Sequence, residues 1–97
     1  MYAVIFRAEI NDLDEEYSKT AKRMRELALR KYGCLEFVAA TEGNGEIAVS
    51  YWETKEEIEK WKNDPEHIRA QRLGKDKWYQ SYTVQIAEVL REHEWST

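Results

Sequence analysis

From Tyr2 to Ile10 the side chains alternate. Tyr2, Val4, Phe6, Ala8 and Ile10 fall on one side, and Ala3, Ile5, Arg7 and Glu9 on the other. That period of two predicts a β-strand, with a second face that Ala3 and Ile5 make partly apolar. The period then changes. Leu13, Tyr17, Ala21, Met24 and Ala28 recur at spacings of three and four, the buried stripe of an amphipathic helix. Acidic and capping residues (Asn11, Asp12, Asp14 to Glu16) open it, and basic ones (Lys22, Arg23, Arg25, Arg30, Lys31) lie toward its end. This polarity suits the helix dipole, and Gly33 is the expected stop.

Two further strands, 35–41 and 47–52, flank Gly43-Asn44-Gly45, a hairpin signal because glycine and asparagine tolerate positive φ. Thr54-Lys55-Glu56-Glu57 reads as a capping box, opening a short helix that turns Ile58 and Trp61 inward. Asp64-Pro65 opens another helical turn, closed after Leu73 by Gly74. A last strand runs from Tyr79 to Leu90. The order β-α-β-β-α-β over a single domain, 1–97, predicts an α+β ferredoxin-like fold with an antiparallel sheet. Its helices cover one sheet face. The other face would carry apolar residues such as Val4, Ile5, Val49, Val84 and Ala87, too many to leave wet, so patterning predicts a homodimer with its sheets face to face.

Composition sharpens this picture. Aromatic residues make up 12% of 97 positions, generous for so small a core, so the rings line a pocket or face a partner. The formal net charge is −4 and the basic residues form no dense strip beyond the first helix, which argues against nucleic-acid partners. No run of 18 apolar residues exists, so no membrane span is expected. With one cysteine, Cys34, and no export signal, the expected location is the cytoplasm. Two histidines and one cysteine give no metal-ligand spacing.

The run YWETKEEIEKWKNDPEHIRAQRLGKDKWYQSYTVQIAEVLRE, positions 51–92, resembles the antibiotic biosynthesis monooxygenase family of dimeric α/β barrels. The pieces that carry the resemblance are the Trp-Glu-Thr helix start, Trp-x-x-Asp-Pro-Glu-His, and Trp-Tyr before the last strand. It implies a ligand pocket in each subunit, between sheet and helices. Some members oxygenate aromatic polyketides without metal or flavin, the substrate's own carbanion activating dioxygen; others degrade heme. In the heme branch a helix Trp is followed ten residues later by an iron-ligating His, with an Asn on the first strand. Here Trp61 is followed by Gln71, and the first strand has no Asn, which disfavours heme degradation.

The resemblance therefore implies a monooxygenase acting on a small aromatic or polyketide-like molecule, with no cofactor. The alternative from another class is a non-catalytic dimeric module that binds a small hydrophobic ligand. For catalysis the candidates are His67 as general base, because imidazole titrates near neutrality, with Arg72 and Arg7 to steady an anion. Each also has a structural reading: a hydrogen-bonded surface His, an Arg72 paired with Glu66 or Asp76, an Arg7 at the dimer edge. For substrate binding the candidates are Trp61, Trp78, Tyr79 and Trp52, whose rings have a core reading too, and Gln71, which could orient a carbonyl or equally face solvent. Cys34 reads as a buried inert thiol.

Overall fold

A computed structural model describes residues 1–97. The elements are β1 (Tyr2–Ile10), α1 (Glu15–Arg30), β2 (Glu36–Glu42), β3 (Gly45–Trp52), α2 (Lys55–Lys62), α3 (Pro65–Leu73) and β4 (Tyr79–Glu88). The four strands form one antiparallel sheet in the order β2-β3-β1-β4, the ferredoxin-like arrangement. In the turn between β2 and β3, Gly43 alone takes positive φ (+59°). One left-handed residue at the first turn position is what a two-residue type II′ turn needs, and Asn44 stays at negative φ.

Capping chemistry fixes where the helices begin. The Asp14 carboxylate accepts from the Tyr17 amide at the head of α1. Thr54 and Glu57 form the full reciprocal capping box of α2, and Asp64 caps α3 ahead of Pro65. Gly33, at φ +87°, turns the chain after α1; a Cβ there would also strike the Glu57 carboxyl. Gly74 behaves differently from expectation. It keeps right-handed helical angles, and the chain continues through a π-helical turn over Gly74–Trp78 before entering β4. Its missing Cβ matters for another reason: one would lie 3.0 Å from the Tyr79 ring.

Strand register sorts the side chains into rows. Facing the helices are Phe37–Ser50–Val4–Ile86, then Ala39–Ala48–Phe6–Val84, then Thr41–Glu46–Ala8–Tyr82. On the other face lie Glu36–Tyr51–Ala3–Ala87, Val38–Val49–Ile5–Gln85 and Ala40–Ile47–Arg7–Thr83. Val4 and Val84 thus belong to the helix side, not to the open face where sequence patterning places them. Their strand positions share parity with Phe6 and Tyr82, and alternation leaves no other choice. Ile5, Val49 and Ala87 do lie on the open face, joined there by Val38, Ile47 and Tyr51.

The core is one cluster beneath α1 and α2: Val4, Leu27, Ala28, Cys34, Trp52, Ile58 and Trp61. Only 13 of 97 residues are buried. The accessible surface is 6962 Å², whereas a compact monomer of 11.6 kDa would expose about 5,800 Å². Part of the excess is the extended tail after Val89, and part is the uncovered apolar face. Ile58 is wholly enclosed in this small core. Ile58→Ala should cost about 2–5 kcal/mol, read as a lowered midpoint in urea with an unchanged slope.

Candidate active site

α1 and α3 lie together above the sheet, and ion pairs between them fix the register. Arg23 binds Glu66 in a two-pronged contact at 3.0 Å, Arg69 meets Glu16 at 2.7 Å, and Lys77 bridges Asp14 and Glu16. Two further ties to α1 come from inside, from an indole on α2 and one at the end of the π-helical turn. Trp61 Nε1 donates to the Met24 carbonyl at 3.1 Å, and Trp78 Nε1 donates to the Asp14 carboxylate at 3.1 Å. Between these two attachments the inner row of the sheet carries only Ala39 and Ala48 on β2 and β3, and the helices present Thr20, Ala21, Ala70 and Gly74. Small side chains facing small side chains leave a hollow of about 410 Å³.

One end of the cavity is built around Trp61. Its ring packs against Trp52 (5.2 Å between centroids) and Phe37, and the His67 imidazole stands edge-on to it at 4.5 Å. His67 Nδ1 is buried and has no hydrogen-bond partner. Burial holds the imidazole below its ordinary pKa of 6.5, so the ring is neutral at physiological pH. A neutral ring with its hydrogen on Nε2 offers a free lone pair at Nδ1.

The other end is built around Tyr17, seven residues earlier on α1 than Met24 and so about 10 Å away along the helix. Tyr17 stands edge-on to Trp78 and Tyr79, and Tyr79 in turn packs with Phe6 and Tyr82. Among these rings sits a carboxyl group. The Tyr17 hydroxyl donates to Glu46 Oε1, the Tyr79 hydroxyl approaches the same carboxyl, and Glu46 Oε2 is buried without a partner. Burial raises the Glu46 pKa, and burial followed by the neighbouring carboxyl raises that of Tyr79.

Of the residues singled out from sequence, the structure brings five to the cavity wall: Trp61, His67, Gln71, Trp78 and Tyr79. Three do not reach it. Arg7 alternates with Phe6 and so lies on the far face of the sheet, exposed beside Ile47 and Thr83. Arg72 is one residue past Gln71, a rotation of about 100° around α3, and is exposed. It pairs with neither Glu66, which Arg23 occupies, nor Asp76. Trp52 is fully buried in the core beneath Trp61, its indole N–H donated to Ser50 at 2.9 Å. The cations that line the cavity are instead Lys22, Lys62 and Arg25, the last with its guanidinium 5.2 Å from the Phe37 ring centre.

Glu46 cannot be read as a site residue from a third strand that begins at Ile47, while Tyr17 and Tyr82 read only as inward positions of the first helix and last strand. With β3 starting at Gly45, Glu46 shares the inward side of Ala48, Ser50 and Trp52. A charge on that side is the signal sequence could have provided. Cys34 is buried and its thiol donates to the Glu36 carbonyl, with burial pushing its pKa up.

The lowered pKa of His67 has a defined sign in stability. Between that value and 6.5 the unfolded chain binds the proton more readily, so stability present above pH 6.5 is lost as pH falls through the folded value. A ¹H–¹³C titration should put the His67 midpoint below 6.5, and His67→Gln should flatten the acid side of the stability profile.

No family profile matches the chain. The uncharacterized protein YqjZ of Bacillus subtilis is 41% identical over 93 residues, which are 94% of this chain and 81% of YqjZ. Among solved structures, SnoaB, a cofactor-independent oxygenase from Streptomyces nogalater, superposes with a TM-score of 0.77 at 10% identity, covering 94% of each chain. Rv0793 from Mycobacterium tuberculosis gives 0.81 at 14% identity, covering 96% of this chain and 98% of its own. A structure described as an antibiotic biosynthesis monooxygenase gives 0.68 at 18% identity, covering 94% of this chain and all of the other. No helix of the chain is long and apolar enough to cross a membrane. The chain therefore belongs to one family with YqjZ, and its fold is that of the antibiotic biosynthesis monooxygenases.

Proposed function

We propose that this chain is a cofactor-independent monooxygenase acting on a small, flat aromatic or polyketide-like molecule. The observation that carries the reading is a ring-lined hollow with a neutral, unpartnered imidazole nitrogen at one end. The likeness to SnoaB supports it at the level of fold.

In the reaction, His67 Nδ1 takes a proton from a ring methylene whose anion is delocalised into a carbonyl. The carbanion passes two electrons to dioxygen in single steps, forming one C–O bond and a peroxide. The peroxide takes up the proton held by His67 and then loses water. On balance one methylene and one dioxygen become one ketone carbonyl and one water. Trp61, Trp78 and Tyr79 hold the ring system flat, Gln71 faces it from α3, and Arg25 supplies positive charge at the Phe37 side. Arg7 and Arg72 have no part in this scheme.

Anthrone is a suitable probe, because its acidic carbon lies across a ring from its carbonyl. Oxygen-electrode traces should show one dioxygen consumed per anthrone, with a turnover about 10²–10⁴ times lower in His67→Ala. Arg7→Ala and Arg72→Ala should match the parent, and Ala48→Leu, which fills the floor, should bind no anthrone. Unchanged turnover in His67→Ala would sink the scheme. Ligand binding without oxygen uptake would favour the non-catalytic binding module instead.

The homodimer belongs to the same proposal. Ile5, Val38, Ile47, Val49 and Tyr51 make the open sheet face an apolar patch with few charges, and the surface excess is of the order that one partner of a standard interface buries, about 800 Å². Sedimentation should give a dimer near twice 11.6 kDa, and Val49→Lys, a charge at the patch centre, should yield a monomer. A monomeric parent chain would refute the pairing.

A further inference from the structure

Glu46 is the one carboxyl group of the cavity, and none of the cations that also line it, Lys22, Arg25 and Lys62, pairs with it. The groups that meet it are phenols, Tyr17 from α1 and Tyr79 from β4, and the Phe6 and Tyr82 rings line the same cavity. An isolated carboxylate among aromatic rings is strongly disfavoured, whereas the neutral acid is tolerated there. The Tyr17 hydroxyl already donates to Oε1, which leaves Oε2 as the seat of the proton. Oε2 is buried and partnerless, and Glu46 lines the cavity. As the acid it is an unused O–H donor.

We propose that Glu46, as the neutral acid, donates a hydrogen bond from Oε2 to a carbonyl or phenolate oxygen of the ligand. The cavity then selects flat aromatic ketones whose oxygen lies at the end remote from His67. The inference rests on the reading of the hollow as an aromatic-ligand site and adds to it which way round the ligand sits. In such a ketone the oxygen and the opposite ring position lie across the central ring, so the oxygen can turn toward Glu46 and the opposite position toward His67, at ends of the hollow about 10 Å apart along α1. Should a proton leave the His67 end, negative charge would gather on that oxygen, against Glu46 and the Tyr79 hydroxyl. Burial raises the pKa of both groups, which favours the protonated form, the state in which each can donate.

Acridone tests this without any turnover. It is a flat three-ring ketone that does not react with dioxygen, and its fluorescence responds to hydrogen bonding at the carbonyl. Glu46→Gln retains a donor and should bind acridone within about threefold of the parent chain; Glu46→Leu has none and should bind at least about tenfold more weakly. Parent affinity should fall as pH rises through the Glu46 pKa, while the Gln variant stays flat over the same range. Equal binding by Glu46→Leu and the parent would overturn the proposal. So would a Gln variant as weak as the Leu variant, the result expected if the carboxylate recognises an organic cation through charge and ring faces. If thermal melts show that Glu46→Leu does not fold, the pH comparison of parent and Gln variant decides alone. Acridone binding with the expected pattern but no oxygen uptake from anthrone would leave this inference standing and remove the oxygenase reading.

Discussion

Two indole N–H groups set the architecture on which everything else depends. Trp61 and Trp78 each donate to α1, one near its C-terminal half and one at its N-terminal cap. Each indole also fills the space beneath its own attachment, Trp61 over Trp52 and Trp78 against Tyr17. A buried indole N–H left without an acceptor costs about 1–3 kcal/mol, so both contacts resist being broken. The helices are thereby held off the sheet at two points by large rings. Between those points Ala39 and Ala48 give them nothing to settle onto.

The same separation divides the cavity chemically. At the Trp61 end, apolar burial strips His67 of solvent and keeps it uncharged. At the Trp78 end, apolar burial acts on a carboxyl group with the opposite result on its pKa, yet for the same reason: in both cases the charged form is the one that loses water. Burial thus biases a base toward its unprotonated form and an acid toward its protonated form within a single hollow. The outer ladder of ion pairs, from Arg23–Glu66 to Lys77–Asp14, is solvent-exposed. It aligns α1 with α3 more than it stabilises the fold, since such pairs contribute little energy in water.

Much of this frame is legible in the sequence. Periodicity locates the four strands and the long helix, and the Thr54 and Asp64 caps mark the starts of α2 and α3 because side-chain capping is a local interaction. Local rules also explain the errors. Arg7 and Arg72 stand out by their charge, but one residue of offset on a strand or a helix turns a side chain away from its neighbours' face. Trp52 resembles a pocket ring because sequence cannot tell which of two inward aromatics lies beneath the other. Glu46 is hidden because strand ends are set by pairing partners, here Ala8 and Thr41, which are distant along the chain or across a turn. The hollow itself has no sequence signature. Alanines at 21, 39, 48 and 70 become a cavity only when tertiary packing sets them opposite one another.

Because the floor and roof of that hollow are alanines rather than a gap in the backbone, its shape is written in single methyl groups. Exchanging any of them for valine, leucine or glycine redraws the outline without disturbing a strand pairing or a helix cap. Solved structures that share this fold at 10–18% identity illustrate how far side chains can diverge over an unchanged backbone. A scaffold of this construction can acquire new substrates by point mutation, so the chemistry of a lineage can drift faster than its architecture.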